Sequence, residues 1–372
     1  MESLTTAADP LAGYERTRSV LFASPRGTLL TRGRSTIAGG ELATLADRLP
    51  ALLGRSGGLA AGAISFDGTA HLLVPSESAW SAPLPAAAPP VPSGRWWRRQ
   101  TPAPAAYMRA VRLALAELEA GNLDKVVLAR TLELRSDEPI SLRQLLRPLL
   151  GHGYSFATPL PGGSTLAGAS PELLVARHGR QVISNPLAGS AERSADPVED
   201  SRRAAALLES AKDLHEHRLV VEAVAERLSR YCDSLEVPKT PRLTSTATMW
   251  HLSTKITGTL RDPATSVLTL AAALHPTPAV CGTPQAAARR VIGELEAVER
   301  GFYSGLAGWC DAAGDGEWAV AIRCCEVHEH TVRLFAGAGI VAGSVPEREL
   351  AETTSKFRTV LDALGAGNDA LD

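Results

Sequence analysis

Between Gly337 and Lys356 the chain reads GAGIVAGSVPERELAETTSK, a glycine turn followed by two carboxylates and an amine spaced for one helical stripe. Ser344 with Glu347 three residues on forms an S-x-x-E capping box, which predicts a helix from about Val345. At about 100° per residue, Glu349, Glu352 and Lys356 share one face of that helix. Carboxylates so placed can share a cation while the ammonium meets a negative ligand. The turn Gly337-Ala338-Gly339 would let backbone N–H groups approach an oxyanion that a Cβ would obstruct. The same charges at i,i+3 also suit a solvated surface helix, and this segment alone leaves both readings open.

The elements that must hold such a stripe are spread along 372 residues, 45% hydrophobic and 21% charged. That is a globular composition, long enough for two ordinary domains or one large one. A net charge of -2 gives no general pull toward nucleic acid or membrane, so anion recognition must come from a local cluster of Lys and Arg. The N-terminus lacks a basic segment leading into an apolar run, and no stretch reaches the ~18 apolar residues of a membrane span. A cytoplasmic protein is expected, with no membrane or nucleic-acid partner. Its five cysteines, without C-x-x-C spacing, read as reduced buried thiols. No coiled-coil repeat argues for an assembly, so a monomer is expected.

Proline density over 81–107 predicts no regular structure there. Before it, short apolar runs over 18–76 predict strands with one helix near Glu41 to Leu53. After it come an amphipathic helix from Tyr107 to Ala120, stopped by Gly121-Asn122, and the strand DKVVLAR. On that strand Lys125, Val127 and Ala129 face one way, and Val126, Leu128 and Arg130 the other. A helical run from about Arg203 to Tyr231 and strands near 318–327 and 331–336 complete an α+β class with extensive sheet.

Several chemistries are excluded by spacing. His215 and His217 in HEH point about 200° apart on a helix and cannot ligate one metal together. The chain has no H-E-x-x-H, no phosphate-binding G-x-x-x-x-G-K-[ST], no dinucleotide fingerprint after a strand and no G-x-S-x-G elbow.

What accumulates instead is a set of nine collinear segments. They are DKVVLAR (124–130), GASPELL (168–174), NPLAGSAER (185–193), ESAKDLHEH (209–217), STATMWHLST (245–254), LHPTPAVCG (274–282), ERGFYSG (299–305), GDGEWAVAIR (314–323) and the opening stretch. In order and content they resemble the chorismate-utilising enzymes, the family of isochorismate, salicylate, anthranilate and aminodeoxychorismate synthases. The resemblance covers about 103–366. It implies a two-subdomain α/β core of extensive antiparallel sheet surrounded by helices, in one catalytic domain over 1–372. The variable part of that domain is 1–95, and the motif-bearing core is 96–366. It also implies Mg²⁺ as cofactor and chorismate as substrate.

Carried onto this sequence, the resemblance makes Glu216, Glu349 and Glu352 metal-side residues, with Glu216 and Glu352 direct and Glu349 through water. For the second substrate carboxylate it offers Arg323, Lys356, the Gly337–Gly339 amides and the Tyr303 hydroxyl. Lys212 reads equally well as an i,i+4 partner of Glu216. Lys125 matches the base that activates water at C2, and Glu172 the acid that protonates the departing C4 hydroxyl. Lys125 must then lose its proton readily and Glu172 must keep its own. Ala188 rules out the covalent lysine of some aminodeoxychorismate synthases. Ala279 resembles the enzymes that stop at isochorismate, with salicylate formation as the alternative. Glu192 departs from a position where relatives often carry a basic residue, either at the approach to the site or on the surface. His251 is either near the substrate ring or a satisfied core histidine.

Overall fold

The DKVVLAR segment extends, in the computed structural model, into a strand running Lys125–Ser136, as its β-branched and aliphatic content favours. The structure describes residues 11–56, 58–85 and 95–366. One edge of this strand pairs with Thr331–Ile340, from Val126 opposite Ile340 to Arg135 opposite Thr331. On the other edge, Gly282–Thr283 pairs with Val126 and Lys125, and Trp96–Thr101 with Thr131–Ser136. Lys125 pairs with Thr283 on one edge and stands one residue beyond the Val126–Ile340 pair on the other.

Among the described residues this strand belongs to a 17-stranded sheet, and Leu187–Glu192, Met249–Ser253 and Arg242–Ser245 form a second, three-stranded one. Every pairing is antiparallel, as the expected class requires. The N-terminal strands join the motif-bearing ones directly. Leu21–Ser24 pairs with Tyr154–Pro159, and Leu59–Ile64 with Leu306–Asp311.

Two helices carry the acidic motifs, and each has its carboxylate at the head of a buried stripe. In Ala211–Ser229, Glu216, Val220, Val224 and Leu228 recur every four residues and are all buried. In Pro346–Leu364 the corresponding stripe is Glu349, Thr353, Phe357 and Leu361. Apolar burial of about 1.5–3 kcal/mol for each large side chain thus fixes where the two carboxylates point.

Four expectations need correction. The run from Arg203 to Tyr231 is two helices, Pro197–Glu209 and Ala211–Ser229, because Ser210 turns extended and caps the second by accepting from the Asp213 N–H. The proline-dense stretch contains the strand Trp96–Thr101, whose own residues include no proline, and a helix Pro104–Glu119 that begins on proline; residues 86–94 lie outside the described ones. The last helix does start at Pro346, but without the capping box. Its N-cap is Val345, and Ser344, one residue early, accepts from Val341 N–H instead. Finally, the strand expected over 318–327 is two, Gly316–Val320 and Cys324–His328. The break is at Arg323, which sits at φ 51°. The helix Leu42–Ser56 and the buried, unpaired state of all five cysteines agree with the sequence reading. No described helix is long and apolar enough to cross a membrane.

Candidate active site

The break at Arg323 aims its side chain away from the sheet ladder. A non-glycine residue in the left-handed region costs about 1–3 kcal/mol, so the surrounding fold must hold it there. Arg323 is buried, its Nε has no hydrogen-bond partner, and one terminal nitrogen lies 3.4 Å from His251 Nε2. Burial pulls its pKa down, while Tyr303, Glu352 and Glu172 act the other way. A buried guanidinium with a free N–H is a site waiting for an acceptor.

It faces a cavity of about 50 Å³, room for a water or two, which it lines together with Glu172, Glu216, Glu352 and Lys356. His251, Tyr303, Ala279, Gly337 and Gly339 complete the wall. Ten of the thirteen residues expected to form the site therefore converge on one space. Three do not line it. Lys125 lies just behind Glu216, Glu349 is buried further along its helix, and Ala338 points to the opposite face of its strand.

Glu172 is buried and its carboxyl is pushed up to about 7. Burial is the main cause, opposed by a hydrogen bond from the Leu187 backbone and by the positive charges of Lys125, Arg323 and Lys356. Near neutral pH it therefore holds its proton part of the time, as an acid must. Lys125 is fully buried, with Nζ 2.8 Å from Glu216 Oε1. Distance makes this an ion pair, although Nζ makes no hydrogen bond of normal geometry. Burial alone would raise the Glu216 carboxyl, but Lys125 first, then Lys212 and Lys356, outweigh it and hold the pKa low.

His251 is a buried, hydrogen-bonded histidine on the cavity wall. Nδ1 lies 2.9 Å from Ser190 Oγ and Nε2 faces Arg323. Burial and then the neighbouring cations drive its pKa well down, so the ring is neutral. Because Arg323 can only donate, Nε2 accepts and Nδ1 carries the proton toward Ser190. Tyr303 stacks on Phe335 at 5.1 Å, and burial lifts its hydroxyl to about 12, so it stays a donor.

The glycines lie in a strand rather than the expected turn, and they have a further use. Residues 337–339 pair with Ala129, Leu128 and Val127 in the ladder. A Cβ on Gly339 would collide with the Glu216 carboxylate, and one on Gly337 with the Tyr303 hydroxyl. They provide clearance for side chains, and Gly337 O accepts from Lys356 Nζ at 2.8 Å.

On the helix side, each carboxylate faces a lysine. Glu352 lies 2.5 Å from Lys356, and Glu349 lies 2.8 Å from Lys212. Lys212 thus spans to the other helix rather than pairing with Glu216 on its own, because the buried stripe turns it toward Glu349. Burial opposes its charge, yet Glu349, Glu352 and Glu216 together hold its pKa up. Among the described residues, no three His, Cys, Asp or Glu side chains already surround a cation position. The donor set nevertheless fits Mg²⁺, which takes one or two carboxylates and fills its shell with water and substrate oxygens. Glu349 Oε2 is buried without a partner, and burial, then Glu352, raises the Glu349 pKa. That is a carboxylate short of positive charge.

Residues 76–365 match the chorismate binding enzyme family. The chain belongs to that family. It is 49% identical over 385 residues to the isochorismate synthase DhbC of Bacillus subtilis (strain 168), covering 97% of each chain. Identity to the vibriobactin-specific isochorismate synthase of Vibrio cholerae is 51% over 269 residues, 71% of this chain and 68% of that one. The crystal structure of DhbC from Bacillus anthracis superposes with a TM-score of 0.92 at 47% identity, covering 96% of this chain and 99% of that one. Within the chorismate binding enzymes the chain groups with the isochorismate synthases.

Sequence reasoning missed parts of the wall of this family site. Ser190, which orients His251, lines the cavity beside Ala188 because a bulge at Gly189, φ 77°, shifts the register between them. Glycine between two small residues on a strand was the available signal. Glu296 and Arg300 were also missed. Arg300 donates to Val280 O at 2.7 Å and Val127 O at 2.8 Å, and Glu296 accepts from Ala129 N at 2.8 Å. This pair ties the Ala279 loop to the Lys125 strand. Glu192 lies away from the cavity, paired with Arg358 at 2.5 Å and more loosely with Arg203 at 3.9 Å.

Proposed function

We propose that this chain isomerises chorismate to isochorismate. Water adds at C2 as the C4 hydroxyl leaves, so one water enters and one departs and no other reactant is consumed. Lys125 takes the proton from the incoming water, and Glu172 gives a proton to the leaving hydroxyl. Arg323 receives a substrate carboxylate, helped by the Tyr303 hydroxyl, the Lys356 ammonium and the Gly337–Gly339 backbone. His251, neutral and anchored by Ser190, orients the ring hydroxyl or the water. Glu216 and Glu352 would hold Mg²⁺ directly, with Glu349 behind them; when bound, it supplies positive charge for the other carboxylate.

The observation that carries this reading is Glu172, a buried carboxyl raised to about 7 on the wall shared with Arg323, whose Nε has no partner. A protonated acid beside an anion receptor is what loss of hydroxide from a dianion requires. Ala279 lines the same wall without a hydroxyl, which favours release of isochorismate over further elimination. We take 1–372 as one catalytic domain, because strands at 21–24 and 59–64 pair into the motif-bearing sheet.

The test is chromatography of chorismate incubated with Mg²⁺ and either the wild type or Lys125→Ala. Isochorismate from the wild type alone supports the reading. Salicylate with pyruvate would move the chain to the salicylate-forming class, and an aminated product that needs ammonia would sink the proposal.

A further inference from the structure

Arg130 lies on the same strand as Lys125 but on its opposite face, where it is buried against the helix Pro346–Leu364. Its surroundings are unusual for a buried cation. Nε donates to Thr353 Oγ1 at 2.7 Å, one terminal nitrogen to Gln100 Oε1 at 2.7 Å, and the other to Thr354 Oγ1 at 2.5 Å and Leu350 O at 3.4 Å. The guanidinium also lies over the rings of Phe357, at 5.1 Å, and Tyr107, at 5.8 Å. Every hydrogen-bond acceptor is neutral. Burial lowers its pKa to about 10. Arg300, the buried arginine beside the Ala279 loop, has Glu296 for a partner. A buried cation held only by dipoles and rings is costly, and an apolar residue would fill the space more cheaply.

What it grips is informative. Leu350, Thr353 and Thr354 alternate along the helix with Glu349, Glu352 and Lys356. The two threonine hydroxyls also donate back to Leu350 O, at 2.8 and 2.9 Å, so the three acceptors form one unit. The helix has no side-chain N-cap to fix its start. A slip of one residue along it would move each carboxylate by about 1.5 Å and turn it about 100°. A planar fork bonded to three successive groups forbids that slip, whereas a point charge would not.

We propose that Arg130 is a positioning residue that locks the axial position and rotation of the Glu349, Glu352 and Lys356 stripe against the Lys125 strand. The inference rests on the isochorismate synthase reading of the same site. Arg130→Lys keeps the charge and loses the fork; Thr353→Val with Thr354→Val removes the acceptors and keeps the arginine. For each, kcat and KM for chorismate are measured across a Mg²⁺ titration, and the melting temperature is followed against Mg²⁺ without substrate.

The expected result is a half-saturating Mg²⁺ concentration raised at least tenfold in Arg130→Lys and several-fold in the double variant. At saturating Mg²⁺, kcat should stay within about threefold of wild type, and the Mg²⁺-induced melting shift should move to correspondingly higher concentration. A purely structural arginine would lower the melting temperature and the active fraction with unchanged Mg²⁺ dependence, and that outcome overturns the proposal. So would unchanged behaviour of both variants, or a wild type whose melting never responds to Mg²⁺. If Arg130→Lys fails to fold, the double variant alone decides. A wild type that makes no isochorismate refutes the functional reading separately, and the melting titration still judges the clamp.

Discussion

On the sheet side of the site, Glu172 and Arg323 are buried with little to bond, one carrying a raised pKa and the other a free N–H and a left-handed backbone. On the helix side each carboxylate faces a lysine, Glu349 on Lys212 and Glu352 on Lys356, with one Glu349 oxygen left free. Backbone strain thus falls at the break between two strands, with the buried Glu172 carboxyl on the same wall. The helices carry their acidic charge in ion pairs with lysines. On the proposed reading the difference is a division of labour: the sheet side would serve proton transfer and carboxylate capture, and the helix side would hold the charge that meets the metal.

The comparison breaks most visibly at Glu172. Glu172→Gln should lower kcat by about 10²–10⁴-fold, the usual worth of a positioned acid, with isochorismate formation followed by chromatography. In the wild type, kcat should fall as pH rises through about 7, as the proton on Glu172 is lost. A variant that keeps wild-type kcat would mean the sheet side does not donate the proton.

The same substitution should stabilise the fold. Glu172 binds its proton more tightly folded than unfolded, so the stability it contributes is complete below the ordinary carboxylate value of 4.5 and is lost as pH rises to about 7. The loss is on the order of 3 kcal/mol. Glu172→Gln removes it, so denaturant melts should find the variant more stable than wild type at pH 8 and the gap closing toward pH 4.5. An unchanged gap across that range would show that Glu172 is not stored strain.

Smaller effects belong to the helix side. Glu349→Gln removes its repulsion with Glu352 and its pairing with Lys212. It should raise the half-saturating Mg²⁺ about tenfold while leaving kcat at saturation nearly unchanged, read in the same kinetic titration; a collapse of kcat instead would place Glu349 among the reacting groups. Smallest is Glu192→Ala. Its bridge to Arg358 is more than one-third exposed on both sides, so solvent screening leaves at most about 0.5–1 kcal/mol. Melting should shift slightly and kinetics not at all, and a changed KM for chorismate would return Glu192 to the approach of the site.

Much of this was legible beforehand. The α+β class and the strand opening at Lys125 follow from periodicity and residue type, which are local properties; the last helix was placed to within a residue by a capping box that does not form. So was the composition of the cavity wall, because collinear motifs specify residue types even when their partners are unknown. The break at Ser210 was also present as S-x-x-D, a capping signal overshadowed by the longer apolar pattern around it.

Other features had no local signature. Lys212 and Glu349 are 137 residues apart, and no spacing rule prefers that pair over the i,i+4 alternative with Glu216. The two glycines were legible as a need for close approach, but which group approaches depends on strand pairing, and here it is the Glu216 carboxylate and the Tyr303 hydroxyl.

By itself, then, the sequence determined which chemistry-bearing residues the protein owns, which strand faces and helix stripes they occupy, and which family they belong to. These depend on side-chain periods and residue types over a few residues. Only the tertiary structure decided that Arg323 leaves its strand to face the cavity, that Glu172 is desolvated enough to keep a proton, and that Arg130 holds the acidic helix from behind. Each depends on what other parts of the chain place around a buried group, and burial sets both the pKa of a charge and the partners left to it.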